Sequence, residues 1–485
     1  MNAKTVNSPR RVISVFILAM STVAIMASLR NLPLISEFGL SAIIFFLIVG
    51  IGFLVPCALV SAELATGWPK SGGIYIWVRE AFGDRWGFFA IWMQWVHNVS
   101  WYPAILSFVA ATLATSCSSP LASNKYYILA VILIVFWGMT ILNYFGIKTS
   151  SIVSTVGVII GTILPGVVII MLGISWLAQG HPLQISISFD SLMPNFAHSD
   201  NLIFMGGFFL TFAGLEVCSG YAGEVKDPQK NYPRAILLAS GITFVLLLAG
   251  ALSVAFVIPK HDISLISGVM DAFKIMLNRY SLGWALPVIG ILLALGSVAE
   301  VNSWIIGPVK ALYTTSIHGN LPSIFQKQNK HGTPVNLLLF QAIIVTASSF
   351  VFLLMPNLNS SYWILSALSA QMYLVMYLMM FIAAIRLRYS KPLVPRAYRI
   401  PNPHKGMWLI ASLGIFSSVF AIVVTFFPPK QLNVGNLVFY ESFLMGGLLL
   451  MIVIPLIIYQ LKKPHWMPVN NIHKNPDLLE NSTFH

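Results

Sequence analysis

Two carboxylates stand where hydrocarbon is expected. Glu300 lies within the apolar stretch Leu282–Tyr313, and Glu216 within Ile203–Tyr221. An acid at the centre of a lipid-spanning helix costs about 2.5–3.5 kcal/mol on insertion scales, so a chain that keeps two has a use for them. Held at fixed positions, such groups can line a polar path through a bilayer. The pair points to a secondary transporter.

Three segments place polar or helix-breaking residues inside apolar runs. Ala19–Ala24 carries adjacent Ser21 and Thr22 in the first run, where hydroxyls often only bond back to the preceding turn. Gly206–Glu216 holds Gly206, Gly207 and Gly214. Each glycine costs a helix about 1 kcal/mol relative to alanine, and a carboxylate two residues after Gly214 favours an unwound, cavity-lining stretch over simple close packing. Leu295–Trp304 places Ser297, Glu300 and Ser303 at intervals of three, hence on one helical face. That face reads as a wetted stripe.

The elements that must position these residues follow from composition. Apolar residues make up 57% of the 485, charged residues only 9%, and mean hydropathy is +0.81. A soluble domain carries about 25% charged residues, so the bilayer is the solvent for much of this chain. Crossing about 30 Å of hydrocarbon takes about 20 apolar residues. Twelve runs qualify, near 12–35, 39–65, 86–114, 126–145, 150–177, 201–224, 234–258, 283–314, 334–355, 361–387, 406–427 and 437–461. The first is read as a retained span rather than a signal peptide. Segment 263–279 is too polar to span and reads as a short helix.

With the N-terminus inside, 22 Lys/Arg fall in cytoplasmic segments and 5 in external ones, Arg30 being left at the first span. The positive-inside rule therefore favours twelve spans with both termini cytoplasmic. It also accounts for the net charge of +13, which needs no nucleic-acid partner. The chain divides into an N-terminal arm 1–11, one membrane domain 12–461 and a tail 462–485. Cys57, Cys117 and Cys218 show no metal-ligand spacing and read as packing residues; no metal or cofactor is expected.

Several strings resemble a known family. Pro69-Lys-Ser-Gly-Gly-Ile-Tyr-Ile-Trp77, Phe212-Ala-Gly-Leu-Glu216 and Glu224-Val-Lys-Asp-Pro-Gln-Lys-Asn-Tyr-Pro-Arg-Ala235 look like signature segments of the amino acid–polyamine–organocation superfamily. Arg85-Trp-Gly-Phe88, Leu295–Pro308, Tyr373 and Tyr377 are similar to the bacterial glutamate/GABA antiporter family. The resemblance covers roughly residues 10–460. It implies an all-α membrane fold of twelve helices: five plus five in inverted repeat, of the leucine-transporter type, with two additional C-terminal helices. Spans one and six would be broken near the midplane. Half-helix N-termini then suit a substrate carboxylate, and exposed carbonyls suit an ammonium.

Carried over residue by residue, the resemblance implies that Ser21, Thr22, Val23 and Ala24 bracket the first break. It places Phe212, Ala213, Gly214 and Glu216 at the second, Phe212 as an aromatic lid. Glu300 in span eight and Tyr373 and Tyr377 in span ten would face the pocket. The first break lacks the glycine triplet usual in the superfamily. Span five has no lysine, with Thr155 near the position where some relatives carry one, so a span-five ammonium is excluded as proton carrier and sodium coupling is not. His97 and Asn98 read as packing or helix-bonding residues, Glu63 and Glu441 as interfacial acids, and Glu224 as a structural loop residue. His465, His473 and His485 lie in a tail that in similar proteins can plug the cytoplasmic path; here a plain solvated tail is the competing reading.

The expectation is an inner-membrane amino acid antiporter exchanging substrate for counter-substrate. If both acids line the site, one must carry a proton before an anionic substrate binds, so an acidic amino acid should move faster as pH falls. A proton- or sodium-coupled symporter of neutral amino acids is the alternative, and an amino acid-binding membrane sensor the second. An enzyme is disfavoured, because no zinc motif or nucleophile elbow is present.

Overall fold

The computed structural model describes residues 14–69, 72–116, 120–145, 155–194, 199–217, 226–402, 404–429 and 432–467. Arm 1–11, Lys70, Ser71, Cys117, Cys218, Glu224, His473 and His485 lie outside them. The described chain is nearly all helix. Eleven helices within it are long and apolar enough to cross a bilayer, and Asn201–Thr211 is a shorter apolar one in the place of the sixth.

Both expected breaks are present, and their positions follow from backbone chemistry. The first span is helical over Val15–Met26, passes through Ala27 and Ser28, and resumes as a tight turn at Leu29–Asn31 and a short helix at Leu32–Ser36. Pro33 sits in the first turn of that second helix. There its missing N–H costs nothing, whereas within a continuous helix it would leave a carbonyl unpaired. The break therefore lies beyond Ser21, Thr22, Val23 and Ala24, which are all helical. This corrects the expectation that they bracket it. Thr22 Oγ1 donates to the Leu18 carbonyl at 2.8 Å, the local bond that hydroxyls in membrane helices commonly make.

The sixth span runs from Ser199 to Thr211 and then unwinds. Gly206 and Gly207 stay helical, with Thr425 and Val424 against the first and Leu34 against the second. Only Gly214 breaks the helix. Its φ of +111° is open to glycine and strained for other residues.

Proline also frees carbonyls in two central helices, and each finds a partner. Span three, Asp84–Ser116, contains Pro103, and Ser348 of span nine donates to the Val99 carbonyl at 2.9 Å. Span eight, Leu286–Ile317, contains Pro308, and Tyr102 donates to the Trp304 carbonyl at 2.9 Å. Gly161 of span five meets Gly296 of span eight backbone to backbone, the close approach that small residues allow between membrane helices.

Spans one and three are the most enclosed, each with 89% of its apolar window buried, against 17% for span twelve, Leu437–Gln460. Outward side chains such as Ile134, Leu409, Phe416 and Val438, each 70% exposed or more, face what the composition identifies as lipid. Segment 263–279 contains the expected short helix, Gly268–Arg279.

Glu63 departs from the reading of an ordinary interfacial acid. It is buried and pairs with two arginines: Arg388 of span ten, Leu358–Ser390, through Nε at 2.6 Å, and Arg396 at 2.9 Å. The Ile400 amide donates to the same carboxylate at 2.9 Å. One acid thus ties the end of span two to span ten and to the loop after it. Removing one member of a buried pair strands the other's charge, at about 3–5 kcal/mol. Glu63→Gln and Arg388→Met should each lower the thermal midpoint of the detergent-purified protein markedly. An unchanged melting curve in both would show that the cluster is dispensable.

Glu37 follows the short helix Leu32–Ser36 and is buried, and among the described residues its Oε2 has no partner. Burial pushes its carboxyl up from the usual 4.5 to about 7, with Lys260 pulling the other way. Because the folded state then holds the proton more tightly, stability falls as pH rises from about 4.5 through 7. At one pKa unit per 1.36 kcal/mol, the upper bound is about 3 kcal/mol. Glu37→Gln should raise the melting temperature at pH 8 and leave it nearly unchanged at pH 4.5; equal effects at both would refute the assignment.

Candidate functional site

The two breaks face one another across a cavity. It is lined by Ile25, Met26, Ser28, Arg30 and Asn31 of span one, by His97 and Trp101 of span three, by Leu210 and Ala213 of span six, by Glu300 and Trp304 of span eight, and by Tyr373 of span ten. Four of these residues are aromatic, and the lining includes one acid, Glu300, and one guanidinium, Arg30.

Glu300 is buried and accepts a hydrogen bond from Ser28 Oγ at 2.8 Å, so the first break and span eight meet at this carboxylate. Ser303, assigned to the same stripe by spacing, instead donates to the Ala299 carbonyl at 3.0 Å. Trp304 closes one side, its indole N–H 3.4 Å from the Ile25 carbonyl at the end of the first half-helix. His97 stacks on Tyr373 at 3.9 Å between ring centroids, and Nδ1 lies 3.2 Å from Ser369 Oγ. Asn98 donates to the Gln94 carbonyl at 3.3 Å and is a helix-bonding residue, as its position suggested.

Glu216 is not in the cavity lining, which corrects the expectation that the two acids share one cleft. It accepts hydrogen bonds from Tyr373, Tyr377 and Gln94. The Gly214 amide in turn donates to the Tyr377 hydroxyl at 2.8 Å. One carboxylate therefore fastens the unwound part of span six to spans three and ten, and answers a backbone amide that the break exposes. Phe212 is likewise not a lid in this conformation. It packs edge-on against Phe46 at 4.8 Å and stacks with Phe244 at 6.3 Å, on the side towards spans two and seven.

Of the eleven residues read from the sequence, Ala213, Glu300 and Tyr373 line the cavity. Glu216, Gly214 and Tyr377 brace the wall behind it. Ser21, Thr22, Val23 and Ala24 belong to the first half-helix, with Ala24 packed against Val158 and Ala299. Sequence reading passes over Ser28, Trp101 and above all Arg30. Arg30 and Pro33 were the available signals: a cation and a helix starter a turn apart in an apolar run. Among the described residues, no group of His, Cys, Asp or Glu could hold a metal ion.

A polar cavity walled by membrane helices, between two interrupted spans, defines a membrane carrier. The chain belongs to the amino acid permease family, whose model matches residues 11–453. It is therefore a transporter and not an enzyme. It is 44% identical to an uncharacterized transporter of Legionella pneumophila, over 93% of this chain and 97% of that protein. It is 30% identical to the glutamate/gamma-aminobutyrate antiporter of Lactococcus lactis, over 93% and 90%. A probable agmatine/putrescine antiporter of the same species is 24% identical over 92% and 94%.

The Gly214 backbone sets a test of the brace. A Cβ there would lie 2.8 Å from Ile25 Cγ2 at an unfavourable φ, and strain of this kind costs roughly 1–3 kcal/mol. Gly214→Ala should lower the transport rate about tenfold or more while the protein still purifies as a monodisperse species. Wild-type rates in proteoliposomes would show that the break tolerates a side chain.

Proposed function

We propose that the protein is an amino acid antiporter of the cell inner membrane, with both termini cytoplasmic. Substrate binds at the breaks of spans one and six, against spans three, eight and ten, and rocking of a helix bundle exposes it alternately to either side. In this reading Ser28, Ala213, Glu300 and Tyr373 touch the substrate. Ser21, Thr22, Val23, Ala24, Phe212, Gly214, Glu216 and Tyr377 shape and hold the walls. The five-plus-five inverted repeat supplies the rocking unit.

The observation that carries the reading is the position of Glu300. A carboxylate fixed by Ser28 at an interrupted helix, beside the carbonyl end of the first half-helix, suits an ammonium group. The positive end at which a half-helix begins suits a carboxylate. An amino acid presents both. Exchange is supported by the name of the Lactococcus lactis glutamate/gamma-aminobutyrate antiporter, whose sequence aligns nearly end to end with this one.

Counterflow into proteoliposomes tests exchange directly. Vesicles preloaded with glutamate or γ-aminobutyrate should take up radiolabelled glutamate at least ~10-fold faster than empty ones. Equal uptake would reject antiport, and uptake into empty vesicles that follows an imposed proton or sodium gradient would establish a symporter instead.

A further inference from the structure

Arg30 is 3% exposed and lines the cavity beside Glu300. Nη1 donates to the Tyr362 hydroxyl at 2.8 Å, and the guanidinium lies over Trp101 at 5.5 Å and Tyr362 at 5.7 Å. Among the described residues its Nε has no hydrogen-bond partner. No carboxylate of the described residues forms an ion pair with it, whereas the buried Arg388 and Arg396 both pair with Glu63. A guanidinium keeps its charge at any physiological pH. A buried cation that lines a cavity, keeps one donor unsatisfied and has no carboxylate in an ion pair suits an anion that arrives from outside the protein.

We propose that Arg30 is the specificity-determining residue of the site, binding the side-chain carboxylate of an acidic amino acid and the terminal carboxylate of its decarboxylated product. The inference rests on the exchange reading of the same cavity. Its chemical basis is what the two substrates share. Decarboxylation removes the α-carboxylate of an acidic amino acid as carbon dioxide and leaves the ammonium and the distal carboxylate. A site with Arg30 for the carboxylate and Glu300 for the ammonium reads the two groups that survive, so one cavity accepts both. The same guanidinium repels diamines and guanidinylated amines.

The test compares ligand binding by the purified full-length protein in detergent with counterflow in proteoliposomes. The probes are L-glutamate, γ-aminobutyrate, L-glutamine, agmatine and putrescine. Wild-type protein should bind glutamate and γ-aminobutyrate and should bind neither agmatine nor putrescine. Arg30→Gln should weaken glutamate and γ-aminobutyrate by about 30-fold or more, the effect of truncating one partner of a buried charge pair, and glutamine far less. Arg30→Lys should recover part of the loss. Tyr362→Phe, which removes only the hydroxyl beside Nη1, should weaken glutamate more than glutamine, and it decides the matter if Arg30→Gln does not fold.

Unchanged glutamate affinity in Arg30→Gln, equal losses for glutamate and glutamine, or a wild-type preference for agmatine or putrescine would overturn the proposal. Arg30-dependent glutamate binding with equal uptake into loaded and empty vesicles would leave Arg30 in place and remove exchange. Robust counterflow of neutral amino acids that ignores Arg30 would do the reverse.

Discussion

Inside a hydrocarbon slab, every backbone amide, carbonyl and charge must be answered by another group of the protein. Most of this molecule obeys that constraint through long helices, and several exceptions are met by specific partners. Pro103 and Pro308 free two carbonyls, which Ser348 and Tyr102 answer. The unwound turn after Thr211 exposes the Gly214 amide, which Tyr377 accepts while donating to Glu216. Glu63 answers two arginines at once. In the cavity, among the described residues, Arg30 has no partner for Nε, and Glu300 accepts a hydrogen bond from Ser28.

The same constraint explains why the breaks and the site coincide. A half-helix end in lipid is costly unless it faces a polar space, and a polar space in a bundle needs half-helix ends to build it. Spans one and six supply the ends, and spans three, eight and ten supply the enclosing walls. The brace at Glu216 joins spans three, six and ten, so a movement of the sixth span's unwound turn pulls on Tyr373, which is also a cavity wall. The unwound turn and the cavity wall are thereby mechanically linked.

Much of this was legible in the residues alone. Hydropathy and length placed the spans, because burial in lipid is a property of runs, and Glu300 announced itself by its cost. Glycines at 206, 207 and 214 signalled trouble in span six but not which of them would break it. Two are packed helical glycines, and only the third adopts a positive φ. The first break lies further along than the resemblance implies: Ser21 to Ala24 stay helical, and Pro33 stands in the first turn of the second half-helix. Glu216 and Glu300 looked alike as isolated acids; their roles separate only when the partners contributed by distant helices are in view. Arg30 was hidden by the charge count, where a lone arginine at a span reads as an orientation signal.

The central claim is that a substrate is held between the two interrupted helices, completing the charges left open there. A high-resolution density map of the protein saturated with glutamate tests it most directly. Ligand density bridging Arg30 and Glu300 is the predicted result; an empty cavity with the ligand bound elsewhere, at a concentration that supports transport, would contradict it.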